Sequence, residues 1–207
     1  MTNTGIVRIT KQYLNSVDDV QPGQIQDTGP AYGQVGETIT LNADDALKLS
    51  NNAVGTLYAG VYQYVRFASE GVLGKAAFWS DPDNFVVTPD PTGIGFAGVS
   101  LNTVTPGNYG WILVEGKVKV MGTSAITASA PAVGDDLALD LSTGFFDDFA
   151  DDGGSPPAPV AFDGETARLF VGQWLEVPAA DTLKLANISA AIKFVGVGGI
   201  YNPSIVD

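Results

Sequence analysis

Alternation of apolar and polar positions is clearest in GTLYAGVYQYVRF, residues 55–67. There Val61, Gln63, Val65 and Phe67 fall on one face, and Tyr62, Tyr64 and Arg66 on the other. The aromatic and β-branched content of this stretch suits a sheet. From Val72 onward, short apolar runs alternate with turns: GKAAFW (74–79) leads into SDPDN, and FVVT (85–88) into PDPTGIG. FAGVSL (96–101) then passes through TPGNYG into WILV (111–114) and KVKV (117–120). One strand per roughly ten residues predicts an all-β fold, a small β-barrel or sandwich of short strands. Glu115-Gly116 reads equally as a two-residue hairpin turn or as a glycine bulge inside one long strand.

The ends of the chain and one internal stretch break this rhythm. Residues 1–50 mix short β-prone pieces with polar, turn-rich links such as QPGQIQDTGP, and carry few large apolar residues. This divides the chain into an N-terminal arm or extended subregion, residues 1–54, and a β-barrel domain, residues 55–207. No basic residue lies between Lys119 and Arg168, and the stretch around 142–159, STGFFDDFADDGGSPPAP, reads as a long exposed acidic loop. The chain then resumes with RLFVGQWLEV (168–177) and ISAAIKFVGV (188–197). A weak internal echo links FAGVSL and WILVEGKVKV to LFVGQWLEV and LKLANISAAIKF. In each, a glycine (Gly98, Gly172) precedes an x-x-Leu step (Leu101, Leu175). Two related hairpins closing one small barrel account for it.

Composition narrows the function. The 207 residues are 45% hydrophobic, with 25 Gly, 12 Pro and only 16% charged residues, which favours turns and strands over long amphipathic helices. A net charge of −13, with the ten Lys and Arg scattered, opposes binding to nucleic acid or to an anionic membrane. With no Cys and no His, disulfides, thiolate chemistry, Ser-His-Asp catalysis and His- or Cys-based zinc sites are excluded. The stretch MTNTGIVRITKQYLN lacks a basic-then-apolar signal pattern, and no apolar run approaches the roughly 20 residues of a membrane helix. These features predict a soluble protein made in a cytoplasm.

Four candidate motifs weaken when their flanks are read. GIGFAG, Gly93 to Gly98, has the spacing of a dinucleotide loop, but VTPDPT precedes it and no helix start follows. The Gly110 to Gly116-Lys117 stretch is one residue too long for a P-loop, with Val118 where a Mg²⁺-ligating hydroxyl belongs. A calcium loop read from Asp148 has Ala150 at its third position and Pro159 at its twelfth. Asp135/Asp136 and Glu115/Glu176 offer carboxylate pairs, yet nothing sets either apart as a tuned acid and base. Trp79, Trp111 and Trp174 sit within predicted strands and read as core, not as an exposed sugar-binding platform. The expectation is a non-enzyme with no catalytic residues, no cofactor and no metal.

The run GKAAFWSD…FVVT…GFAGVSLNTVTPGNYGWILVEGKVKV…PAVGDDL resembles the small β-barrel of tailed-bacteriophage head decoration (capsid cement) proteins. The resemblance rests on Gly74-Lys75-Ala76-Ala77, Ala97-Gly98-Val99-Ser100-Leu101, Gly107 through Ile112, and Gly172-Gln173-Trp174-Leu175-Glu176. It implies a structural virion protein on the capsid exterior, synthesised in the host cytoplasm. Its partners would be the major capsid protein and further copies of itself, as a homotrimer. Ile6, Val7, Ile9 and Tyr13 on the arm, with Tyr62 and Tyr64 on the first strand, are then the candidate interaction residues. Another virion component, such as a tail or head–tail joining protein, and a carbohydrate-binding β-module are the alternatives.

Overall fold

In the computed structural model, residues 35–50, 57–91, 95–123, 132–141, 143–148, 168–196 and 199–201 are described. The chain divides into two units, Met1–Gly116 and Lys117–Asp207. That division falls within a strand. Residues 1–34 and 51–54 of the expected arm, and 142 and 149–159 of the acidic stretch, lie outside the described residues; 146–148, read as exposed loop, form a strand instead, with Phe146 and Asp147 buried.

The first unit is a closed five-stranded barrel with additions. Its strands are β1 (Thr38–Leu41), β2 (Gly60–Phe67), β3 (Ala76–Asp81), β4 (Val86–Thr88), β5 (Phe96–Ser100) and β6 (Tyr109–Met121), the last continuing into the second unit. Neighbours run β2–β4–β3–β5–β6, and β6 pairs back onto β2 to close the circuit. All these pairings are antiparallel except β2 with β4, where Arg66 and Phe67 lie opposite Val86 and Val87. β1 adds to the first half of β2, Ile39 opposite Tyr62 and Leu41 opposite Gly60.

The turns follow their sequences. In SDPDN the Asp81 carboxylate accepts from the Asn84 backbone N–H at 3.3 Å and from its side-chain amide at 2.8 Å. In TPGN, Asn108 N–H donates to the Thr105 carbonyl at 3.1 Å, with Gly107 at φ 85 where a type II turn needs it.

Besides the short strands at 136–140, 146–148 and 199–201, sequence reading missed the helix α1 (Ala43–Ser50). Asn42 caps it: Asp45 N–H donates to Asn42 Oδ1 at 2.9 Å, and Asn42 Nδ2 donates to the Asp45 carboxylate at 2.8 Å. Asp44 and Asp45 also set negative charge against the positive end of the helix.

The interior of the barrel is filled by Val65, Phe67, Ala77, Val87, Ala97, Val104 and Ile112. Tyr62, Tyr64, Ala76, Val99, Trp111 and Leu113 are buried as well. Register places Tyr62 opposite Leu113, Tyr64 opposite Trp111, and Val99 opposite both Ala76 and Leu113. Cross-strand partners share a face, so these residues form the second face of the wall. Burial on both faces is why FAGVSL and WILV read as continuous apolar runs instead of alternating.

β6 settles the Glu115-Gly116 ambiguity in favour of one continuous 13-residue strand, in which Glu115 and Gly116 are paired and the neighbouring Val114 is the extra residue of a bulge. The β2–β6 register slips between Val61 and Tyr62, with Gly116 at φ 115 opposite Gly60. A Cβ on Gly116 would lie 2.6 Å from both the Ala59 carbonyl oxygen and Gly60 Cα, so the strands cross where only glycine fits.

The second unit comprises the end of β6 with β7 (Asp136–Asp140), β8 (Phe146–Asp148), β9 (Arg168–Trp174), β10 (Leu183–Gly196) and β11 (Gly199–Tyr201). Its order is β6–β10–β9–β7–β8, with β11 beside β10. A parallel bridge between Gly122 and Phe146 leads from β8 back to the end of β6. Val120, Leu137, Leu139, Phe146, Val171, Trp174 and Ile188 form its core.

Candidate functional site

The six candidate interaction residues divide in two. Ile6, Val7, Ile9 and Tyr13 lie outside the described residues. Tyr62 and Tyr64 are each 1% exposed. The Tyr62 hydroxyl donates to the Tyr58 carbonyl at 2.6 Å, and burial pushes its pKa up to about 12. The Tyr64 ring stacks on Tyr109 at 6.0 Å and tilts against Trp111 at 5.2 Å. Both tyrosines are therefore wall-packing groups of the barrel. Neither ring offers open surface for a subunit contact, and the reason is the second buried face that alternation alone does not reveal.

Beside these tyrosines the later part of the expected arm, at Gly36 and Glu37, is fastened to the barrel. Gly36 N–H donates to the Tyr64 carbonyl at 2.7 Å, and Tyr64 N–H to the Glu37 carbonyl at 2.9 Å. The Gln63 side-chain amide adds a bond to the Gly36 carbonyl at 3.3 Å. Gly36, at φ 90, lies under the Phe85 ring, which a side chain at that position would strike. Phe85 itself adopts φ 52, an uncommon conformation for an aromatic residue, and sets its ring edge-on to Trp79 at 6.4 Å. A clamp made of the turn at Phe85 and the edge of β2 thus fixes where the chain enters the barrel.

A polar group gathers in the first unit around the start of β3 and the end of β4. Ser69 and Thr88 hydroxyls lie 2.7 Å apart, and Asp90 N–H donates to Thr88 Oγ1 at 3.1 Å. Burial lowers the pKa of Lys75, while the nearby Asp90 charge acts in the opposite direction. The two hydroxyls bond each other and tie the end of β2 to the end of β4.

The remaining motifs resolve into architecture. Gly95 to Gly98 lead into and through β5, so no helix opens there, and Gly93 lies outside the described residues. The stretch Gly110 to Lys117 is part of β6 and forms no phosphate-cradling loop. The Asp135 carboxylate accepts from Ala132 N–H at 2.6 Å, and that of Glu176 from Leu185 N–H at 3.0 Å; Asp136 and Glu115 are exposed. Most of the loop read from Asp148 lies outside the described residues. Among the described residues, no group of three or more Asp or Glu is placed to hold a metal ion. Trp111 and Trp174 are buried, as expected of core residues, and Trp79 is half-buried against the barrel core.

Comparison with known proteins is sparse. No family model matches the chain, and no curated protein does. Among solved structures, the head fiber gp8.5 N base of bacteriophage phi29 aligns with 62% of this chain and 93% of its own, at 17% identity and a TM-score of 0.39. A likeness of that size defines neither a shared fold nor a shared role.

Proposed function

We propose that this chain is a structural component of a bacteriophage virion, which binds the outer surface of the capsid and stabilises it. The observation that carries the reading is the filled barrel. Its interior is occupied by its own Val65, Phe67, Ala77, Val87, Ala97, Val104 and Ile112, so ligands meet the first unit from outside. The segments that resemble decoration proteins, Ala76-Ala77 on β3, Ala97 to Ser100 on β5, Trp111-Ile112 on β6 and Gly172 to Trp174 on β9, are mostly buried, so they shape the fold and leave contact to exposed positions. The clamp at Gly36 suits an arm that leaves a rigid root to reach a neighbouring subunit. A ligand that binds only the assembled shell stabilises it by mass action and raises the barrier to its rupture.

The test mixes the purified chain with expanded, empty phage heads and follows co-sedimentation and the temperature at which the shells rupture. Saturable binding with a raised rupture temperature is expected. Binding to tails or connectors with none to shells would move the chain to the tail or joining class, and quenching of tryptophan fluorescence by glycans would favour the carbohydrate module.

A further inference from the structure

We infer that the two units are two copies of one five-stranded barrel module, with β6 serving in both. In the first unit the circuit is β2–β4–β3–β5–β6 and back to β2. In the second it is the end of β6, then β8, β7, β9, β10 and back to β6. The end of β6 stands where β2 stood, β7 for β3, β8 for β4, β9 for β5, and β10 for β6. The parallel step falls at the same place in each. Ala68 N–H donates to the Val87 carbonyl at 2.8 Å, and Thr123 N–H to the Phe146 carbonyl at 2.8 Å.

Register repeats at the level of single residues. On β5, Gly98 lies opposite Ala77 and Phe96 opposite Phe78, leaving Ala97 as the extra residue of a bulge. On β9, Gly172 lies opposite Leu137 and Phe170 opposite Ala138, leaving Val171 as the extra residue. A side chain at Gly98 would strike the Leu113 carbonyl, and one at Gly172 the Asn187 carbonyl. Those carbonyls are themselves equivalent, since Val99 pairs with Leu113 and Gln173 with Asn187.

The turn before the module's second strand repeats too. Lys75 N–H bonds the Val72 carbonyl at 3.0 Å around Gly74 at φ 75, and Asp135 N–H the Ala132 carbonyl at 3.3 Å around Gly134 at φ 97. Gly74 and Gly134 then donate to the Ser100 and Trp174 carbonyls, each at 2.8 Å.

A single bulge is an ordinary feature of sheets. Closing a five-stranded barrel does not require the bulge, the forced glycine, the turn glycine and the parallel step to coincide in two units. Side chains differ where the backbone is indifferent: Lys75 against Asp135, Ser100 against Trp174, Leu113 against Asn187. Tyr62 and Tyr64, buried on β2, answer to Lys117 and Lys119, exposed on β6. Glycine stays where backbone geometry demands it. The connection filled by residues 89–95 in the first copy is filled by 149–167 in the second, so the added length, with the later part of the acidic stretch, belongs to one copy.

The inference is independent of the capsid reading, and it puts a boundary inside one strand. Tyr109–Val114 belongs to the first module and Lys117–Met121 to the second, with Glu115-Gly116, just past the bulge at Val114, at the boundary. Hydrogen exchange of the full chain in mild denaturant, read amide by amide, tests it. Val65→Ala is expected to lower protection about tenfold or more across β2–β5 and residues 109–114, leaving 118–121 with β7–β10. Leu137→Ala is expected to do the reverse. Gly98→Ala and Gly172→Ala, each in its own module, are expected to lower protection by similar factors. One uniform loss of protection through all of β6 in both core variants, or opposite effects of the two glycine changes, would overturn the inference.

Discussion

Tyr62 couples one phenol to the pH range of the fold. Its hydroxyl bonds the Tyr58 carbonyl at 2.6 Å, and burial raises its pKa from 10.0 to about 12. Because the folded value lies above the unfolded one, the fold favours the neutral phenol. That stabilisation is complete below pH 10 and is lost as pH rises through about 12, amounting to roughly 3 kcal/mol. Tyr62→Phe removes the hydrogen bond and lowers stability by about 1 kcal/mol at pH 8. It also removes the ionisation, so denaturant midpoints measured from pH 8 to 11.5 should fall less steeply for the variant; parallel curves would count against this assignment. Gly36 gives a second residue-scale test. A valine there meets the Phe85 ring, and the expected cost is about 1–3 kcal/mol, seen as faster proteolysis of residues 35–41 while the rest of the first unit stays protected.

At the scale of elements, the shortest pieces rest on identifiable local chemistry. Helix α1 has eight residues, too few to be stable alone, and holds through its Asn42–Asp45 cap and the burial of Ala46. Asn42→Ala should cost about 1 kcal/mol and show first as faster exchange of the α1 amides. Strand β6 stays continuous because Gly116 lets two backbones approach closely beside the bulge at Val114. Gly116→Val places a branched side chain against the Ala59 carbonyl at φ 115, and a loss of about 2–4 kcal/mol in chemical denaturation is expected. A midpoint unchanged from that of the parent chain would show that the crossing relaxes freely.

For the whole molecule, charge and architecture act separately. A net charge of −13 governs what the chain avoids, and no binding to duplex DNA is expected in a mobility-shift assay even at about 50 mM salt. Architecture governs what it withholds, since the barrel of the first unit is filled by its own side chains. Each strand from β2 to β6 was legible in its turns and apolar runs. The second face of the wall was not, because a strand buried on one face and a strand buried on both differ only in what covers them. Tyr62 and Tyr64 pack in that second face. Helix α1 was overlooked because ADDALKLS shows no long apolar period, and its signal was the Asn42 cap.

The sequence by itself determined the all-β class, the turn positions, the acidity and the absence of any Cys or His chemistry, since these depend on residue identity and local spacing. Only the tertiary structure decided which strands close on which, that one strand runs through Glu115-Gly116, and that Gly98 and Gly172 stand in two separate units and not in two hairpins of one barrel. Pairing and register arise from contacts between residues far apart in the chain. A glycine forced by a neighbouring carbonyl looks, in sequence, like any other glycine. GIGFAG is therefore an approach to strand β5, with Gly98 present because the Leu113 carbonyl leaves no room for a side chain.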